Sequence, residues 1–200
     1  LSAIAKHGPI AVGVVFQKCR MFELVSDVAK MQMAQLIAKL SHQDLDNRLL
    51  IKGILEYSTN ESYLRLAIRA SGILNDQDMS KSLEKYLNQE RYMIEAYKSL
   101  VKMGASQSVP KILASIEQMD SMNRVLVEES IEVSKSFHIF GLESFDHVFN
   151  AYINCQNSVI RPIYILAIRS YGNHALGKLK ELSKNVKDDS VFHKDGDKIW

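Results

Sequence analysis

Histidine is the residue type in this 200-residue chain best suited to metal binding or acid–base catalysis, and the sequence contains six. The densest group that includes a carboxylate is His138, Glu143 and His147. These residues straddle a predicted turn at Gly141, so they do not share one face of one helix. A zinc site needs a converging set of ligands, and no further ligand can be identified here. We therefore predict no metal site, no cofactor and no catalytic residue.

Other catalytic signatures are missing from the sequence. It contains no HExxH, no Gly-x-Gly-x-x-Gly, no P-loop and no Gly-x-Ser-x-Gly. The adjacent carboxylates Glu128 and Glu129 project in different directions on a helix, so they do not converge on a substrate. We expect both to be solvated surface charges.

The two cysteines and the apolar segments bear on the compartment. Cys19 and Cys155 lie far apart and have no partner at metal-ligand spacing, which favours reduced thiols in a reducing compartment. No segment approaches the roughly 18 apolar residues that a membrane span requires. We predict a cytoplasmic protein. Because the chain starts at Leu1 rather than at methionine, the alternative is the soluble part of a membrane-anchored protein.

The charge pattern argues against nucleic acid as the partner. The 25 Lys and Arg residues are interleaved with 23 Asp and Glu residues, for a formal net charge of +2. Proteins that bind a duplex usually concentrate basic residues in one stripe, and this sequence has no such stripe.

Apolar residues recur with the 3.6-residue period of helices almost throughout the chain. There are only three prolines, and the one Asp-Gly pair, Asp195–Gly196, lies in a polar C-terminal stretch. The sequence therefore predicts an all-α fold.

An internal repeat indicates how the helices are arranged. Leu-Ala-Ile-Arg occurs at residues 66–69 and again at 166–169, and a glycine follows each copy at the same offset, Gly72 and Gly172. The separation of 100 residues equals three units of about 33, a period typical of two-helix repeats. With Gly104 and Gly141 between them, these glycines mark the expected ends of the first helices. We count about six antiparallel hairpins, of which the first is truncated.

The repeat pattern predicts the boundaries of the helices and of two regions. Residues 1–186 form the repeat array, and residues 187–200 form a charged, mobile tail. The predicted first helices are 24–40, 62–74, 90–103, 121–139 and 158–172. The predicted second helices are 10–20, 44–57, 78–88, 107–118, 142–155 and 175–186.

One unit carries a family resemblance. The stretch from Met103 to Leu113 resembles the short HEAT-like repeats of phycobilisome lyases, in which a small-residue helix ends in glycine and the next opens with Val-Pro, here Val109-Pro110. The resemblance implies an α-solenoid of stacked hairpins. The family includes scaffolds, lyases and hydroxylases, so it leaves the function open. Its deoxyhypusine hydroxylases bind iron through His-Glu dipeptides, which this sequence lacks.

These observations favour a non-enzymatic scaffold that binds a protein or peptide on its concave face. Second helices line that face in a solenoid, and their predicted outward residues are polar and mildly basic, which suits an acidic partner. The alternatives are a regulatory or lyase-type enzyme subunit and the soluble segment of a membrane-anchored protein. The predicted partner-binding residues are Lys81, Lys85, Lys111, Ser115, His147, Asn150, Asn154 and Lys178.

Overall fold

A computed structural model describes residues 9–18, 26–42 and 44–183 of the chain. Within these ranges the secondary structure is helical and contains no β-strand, which confirms the all-α prediction. The predicted tail, residues 187–200, lies outside the described residues, and so does Cys19.

The α-helices of the described ranges follow the predicted alternation of first and second helices. Their bounds are α1 Pro9–Lys18, α2 Asp27–Ser41, α3 Leu45–Tyr57, α4 Glu61–Leu74, α5 Ser80–Glu84, α6 Glu90–Lys102, α7 Val109–Gln118, α8 Arg124–Ser134, α9 Phe145–Asn154, α10 Arg161–Ser170 and α11 Leu176–Ser183. Short 3₁₀ helices cover Gln77–Met79, Ser106–Ser108, Phe137–Phe140, Leu142–Ser144 and Gly172–Ala175. The predicted helix over 121–139 is therefore too long, because α8 ends at Ser134 and a 3₁₀ turn follows.

Polar side chains define where several helices begin. Ser26, Asp44, Asn60 and Asn123 each precede a helix and accept a hydrogen bond from a backbone N–H of its first turn. Such caps satisfy donors that have no partner inside the helix.

The predicted glycine helix ends are confirmed at Gly104 and Gly172 and wrong at Gly141 and Gly72. The prediction at Gly141 is wrong because α8 already ends at Ser134. Gly104, Gly141 and Gly172 have φ angles of 58°, 83° and 55°, a region that glycine enters without a steric penalty. The helix α4 runs past Gly72 to Leu74, and Asn75 takes the left-handed conformation with φ 56°. Asparagine tolerates this conformation better than most residues, which explains the displaced helix end.

The described contacts divide the chain into two compact units, Leu1–Met103 and Gly104–Trp200. In the first unit, α2 packs on α4 and α4 on α6, while α1 packs on α3 and α3 on α5. These two rows of helices also contact each other, since α3 packs against both α2 and α4. The second unit repeats the scheme, with α8 on α10 and α7 on α9.

Small residues allow α4 and α6 to pack closely. A Cβ atom added at Gly72 would lie 2.7 Å from the Cα of Ser99 on α6, which is closer than such atoms can approach. The Ser99 hydroxyl, buried at this contact, donates a 2.8 Å hydrogen bond to the carbonyl of Ile68. Ala67 on α4 and Ala96 on α6 are also fully buried.

Aromatic side chains fill the core of the second unit. Phe137 and Phe140 meet edge to face with ring centroids 5.1 Å apart, and Phe145 meets Tyr171 in the same way at 5.3 Å. Edge-to-face pairs contribute beyond the apolar area that they bury.

The close contact at Gly72 leads to a prediction about stability. We expect Gly72→Ala to lower the free energy of unfolding by about 1–3 kcal/mol, because the new methyl group requires the α6 backbone to move. Urea unfolding measures this change. The matched control is Gly53→Ala on α3, where nothing lies within 4 Å of the added carbon. That substitution should stabilise the protein by up to about 1 kcal/mol through helix propensity alone. Equal effects of the two substitutions would contradict the described packing.

A candidate partner-binding surface

The predicted binding residues Lys81 and Lys85 lie on and just after α5, and both are exposed. Lys85 does not present a free charge, because its ammonium group donates a hydrogen bond to the Glu56 carboxylate on α3. The Ser82 hydroxyl donates to the same carboxylate. These two hydrogen bonds, Lys85 first, lower the pKa of Glu56 below its ordinary value. The hydrogen bonds from Ser82 and Lys85 to Glu56 therefore join α5 to α3.

On α7 the structure separates two residues that we expected on one outward row. Lys111 is exposed, whereas Ser115 is only 3% exposed and donates a 2.7 Å hydrogen bond to the carbonyl of Ile112. The prediction for Ser115 is therefore wrong. Ser115 lies on the side of α7 that carries the buried residues Ile112 and Ile116. The outward row of α7 consists of Lys111, Ala114 and Gln118.

On α9 the prediction agrees with the exposure of the side chains. His147, Asn150 and Asn154 are all exposed, and the Asn154 amide donates a 2.9 Å hydrogen bond to the carbonyl of Asn150. Lys178 on α11 is half-buried, and its ammonium group lies 2.9 and 3.0 Å from the two carboxylate oxygens of Asp146. The predicted set is thus divided between two units, and two of its lysines are already neutralised.

The outward face of α3 was not among the surfaces predicted from the sequence. Four large apolar side chains are exposed there: Leu45 is 69% exposed, Leu49 56%, Leu50 39% and Tyr57 86%. Gly53 lies between Leu49 and Tyr57, one helical turn from each, and has open space above it. We call Leu45, Leu49, Leu50, Gly53 and Tyr57 the α3 face.

The opposite side of α3 holds the helix in place. Asn47, Ile51 and Leu55 are buried, and the Asn47 amide donates a 3.2 Å hydrogen bond to the carbonyl of Leu40 at the end of α2. The carbonyl of Leu55 accepts a 2.6 Å hydrogen bond from the Tyr86 hydroxyl. The α3 face is therefore presented by a helix whose other side is packed.

The two borders of the α3 face differ in character. On one side α1 packs against α3, and Val14 of α1 is 39% exposed. On the other side α5 packs against α3, and the exposed residues there are Lys52, Lys81 and Lys85. Lys52 belongs to this border because it lies one turn before Glu56, the residue bonded to α5. We call these three lysines the basic edge.

The signal for the α3 face is present in the sequence. Apolar residues occur on two sides of α3, since Leu45, Leu49 and Leu50 accompany the buried Ile51 and Leu55. A helix with apolar residues on two sides has more apolar surface than a single core can cover.

The chemistry of the remaining polar groups is limited in the described part of the chain. No group of three or more His, Cys, Asp or Glu side chains there could hold a metal ion, and His138 and His147 are exposed. Cys155 is buried, and this burial raises the pKa of its thiol, so the thiolate is disfavoured at neutral pH. No helix of the described ranges is both long enough and apolar enough to cross a membrane.

Comparison with known proteins gives no match to a family model, to a curated protein or to a solved structure. The HEAT-like resemblance accordingly stays a hypothesis carried by residues 103–113.

The Glu56 contact predicts a specific acid dependence. Because the folded-state pKa of Glu56 is lowered, its contribution to stability is present above the unfolded-state value of about 4.3 and is lost as the pH falls through the folded value. In Lys85→Met we expect the Glu56 pKa to rise toward its ordinary value. Carboxyl-carbon NMR titration measures the Glu56 pKa in the wild-type chain and in Lys85→Met. An unchanged Glu56 pKa in Lys85→Met would contradict the described ion pair.

Proposed function

We propose that this chain is a non-enzymatic scaffold built from HEAT-like hairpins and that it binds a protein or peptide through the α3 face. The observation that supports the proposal is the exposure of Leu45, Leu49, Leu50 and Tyr57 on one side of one helix. Burying apolar surface is favourable by roughly 25 cal/mol per Å². Contiguous exposed apolar patches on soluble proteins usually mark interaction sites.

Contacts that recur at a spacing of about 30 residues support the stacked-hairpin part of the proposal. Hydrogen bonds join Tyr86 to Leu55 and Ser99 to Ile68, each 31 residues apart. In the second unit, the Lys178 bond to Asp146 spans 32 residues. Equivalent contacts between successive hairpins are what a solenoid requires, because each hairpin needs its neighbour to bury its apolar side.

The α3 face also refines the side on which binding is proposed. In a solenoid of this type the second helices line the concave side, and α1, α3 and α5 are the second helices of the first unit. The binding proposal therefore keeps the side predicted from the sequence. The proposed surface is the apolar α3 face with its basic edge, in place of the row of polar residues predicted from the sequence.

Removing the apolar side chains tests the proposal. We expect the double variant Leu45→Ser, Leu49→Ser to lose the proteins that the wild-type chain retains when it is used as bait in its native cell extract. Quantitative mass spectrometry of the captured proteins measures this loss. Because both side chains are exposed, the free energy of unfolding should change by less than about 0.5 kcal/mol.

The matched control is Val125→Ser on α8, which removes a side chain that is 68% exposed in the second unit. This variant should retain the same proteins as wild type. If the double variant retained every protein, or if the control lost the same ones, the α3 face would not be the binding surface.

A further inference from the structure

Gly53 has open space above it within the described part of the chain. At Gly72 a Cβ atom would collide with Ser99, whereas at Gly53 a Cβ atom would meet nothing within 4 Å. Gly13 and Gly177 have open space in the same way. Gly53 is distinguished by its position between two exposed large side chains, Leu49 and Tyr57. This position leaves room for another molecule to approach the backbone of α3 closely.

The surroundings of Gly53 form a shallow notch. Leu49 and Tyr57 lie one turn before and one turn after it, and both side chains project into solvent. A glycine flanked in this way lets the backbone of a second helix approach more closely than side chains elsewhere on α3 would allow. The geometry suits a crossing helix whose own apolar residues pack on both sides of the notch.

The backbone of α3 limits how a partner can be recognised. The N–H and C=O groups in the middle of a helix are paired within the helix, so an extended segment cannot add main-chain hydrogen bonds there as it could at a sheet edge. Recognition must then come from packing of side chains. An amphipathic helix provides apolar side chains at i, i+3, i+4 and i+7 for such packing.

The basic edge supplies the charge preference. Lys52 and Lys81 are exposed, and neither lies within ion-pair distance of a carboxylate among the described contacts. Lys85 is paired with Glu56, and Lys52 adds a weaker electrostatic attraction to the same carboxylate. The other carboxylates nearby include Glu84, half-buried on α5, and Asp46, which is exposed on α3. A partner with acidic residues toward the α5 border would meet the exposed ammonium groups of Lys52 and Lys81.

We propose that the α3 face binds an amphipathic helix of a partner protein, crossing close to Gly53 and directing acidic side chains to Lys52 and Lys81. This inference rests on the proposed function, and it adds the form and the charge of the partner.

Two synthetic amphipathic helices of about 20 residues serve as probes. Both carry the same leucine stripe, and the residues beside the stripe are glutamate in one peptide and lysine in the other. Binding to the full chain is measured by fluorescence anisotropy at low salt. We expect the glutamate peptide to bind about three- to tenfold more tightly than the lysine peptide, as two partly exposed ion pairs would give. The double variant Lys52→Glu, Lys81→Glu should reverse this order.

The control for a general charge effect lies in the same unit and changes the net charge by the same amount. The variant Lys39→Glu, Lys102→Glu replaces exposed lysines on the first helices α2 and α6. It should preserve the preference of wild type for the glutamate peptide. A reversal as large as that at Lys52 and Lys81 would show a general charge effect and would overturn the proposed edge.

The glycine notch has its own test, in which binding and stability change in opposite directions. Gly53→Ala and Gly53→Gln should weaken binding of the glutamate peptide, by about tenfold or more for glutamine, while raising the urea midpoint of unfolding. Gly177→Ala on α11, another glycine with open space above it, should leave binding unchanged. Unaltered binding in Gly53→Gln would overturn the close crossing at this position.

The remaining outcomes separate this inference from the function on which it rests. Equal binding of the two peptides, or no binding of either at about 1 mM, overturns the acidic-helix partner. If capture from cell extract nevertheless depends on Leu45 and Leu49, the scaffold proposal stands with a different occupant. If sedimentation shows a dimer that Leu49→Ser dissociates, the occupant is a second copy of this chain and the inference is overturned.

Discussion

The close packing of α4 against α6 is the constraint on which the first unit depends. At Gly72 the two backbones approach so closely that a methyl group has no room, and the buried Ser99 hydroxyl bonds to the carbonyl of Ile68 across the contact. A single amphipathic hairpin exposes its apolar side to water, so hairpins of this kind are stable only when a neighbour covers that side. Small residues at the contact allow the neighbour to come near enough for the larger side chains to interdigitate.

This packing determines what the other row of helices can do. The α3 helix is held on three sides, by α2 and α4 behind it, by α1 on one border and by the Glu56 contact to α5 on the other. Its fourth side carries Leu45, Leu49 and Tyr57 into solvent. The proposed binding face thus belongs to a packed helix rather than to a loop, which would limit the loss of conformational entropy on binding.

Much of the fold could be predicted from the sequence, because the helical period of the apolar residues and the glycines near helix ends are local signals. Repetition of Leu-Ala-Ile-Arg at 66 and 166 predicts a repeat of about 33 residues. Hydrogen bonds between helices span 31 or 32 residues at three places in the described structure. The outward direction of individual side chains was harder to predict. Ser115 was predicted to face outward and is buried. An error of one residue in helix position changes the direction of a side chain by about 100°. The α3 leucines were missed because burial depends on which neighbours cover a helix, and α3 carries apolar residues on two sides.

The most direct test of the account is methyl NMR of the full chain during addition of the glutamate-bearing amphipathic peptide. The account predicts that methyl resonances of Leu45, Leu49 and Leu50 shift progressively with peptide concentration. It also predicts that Leu142, an exposed leucine of the second unit, does not respond. Shifts confined to other surfaces, with the α3 leucines unchanged at saturation, would contradict the assignment of α3 as the binding face.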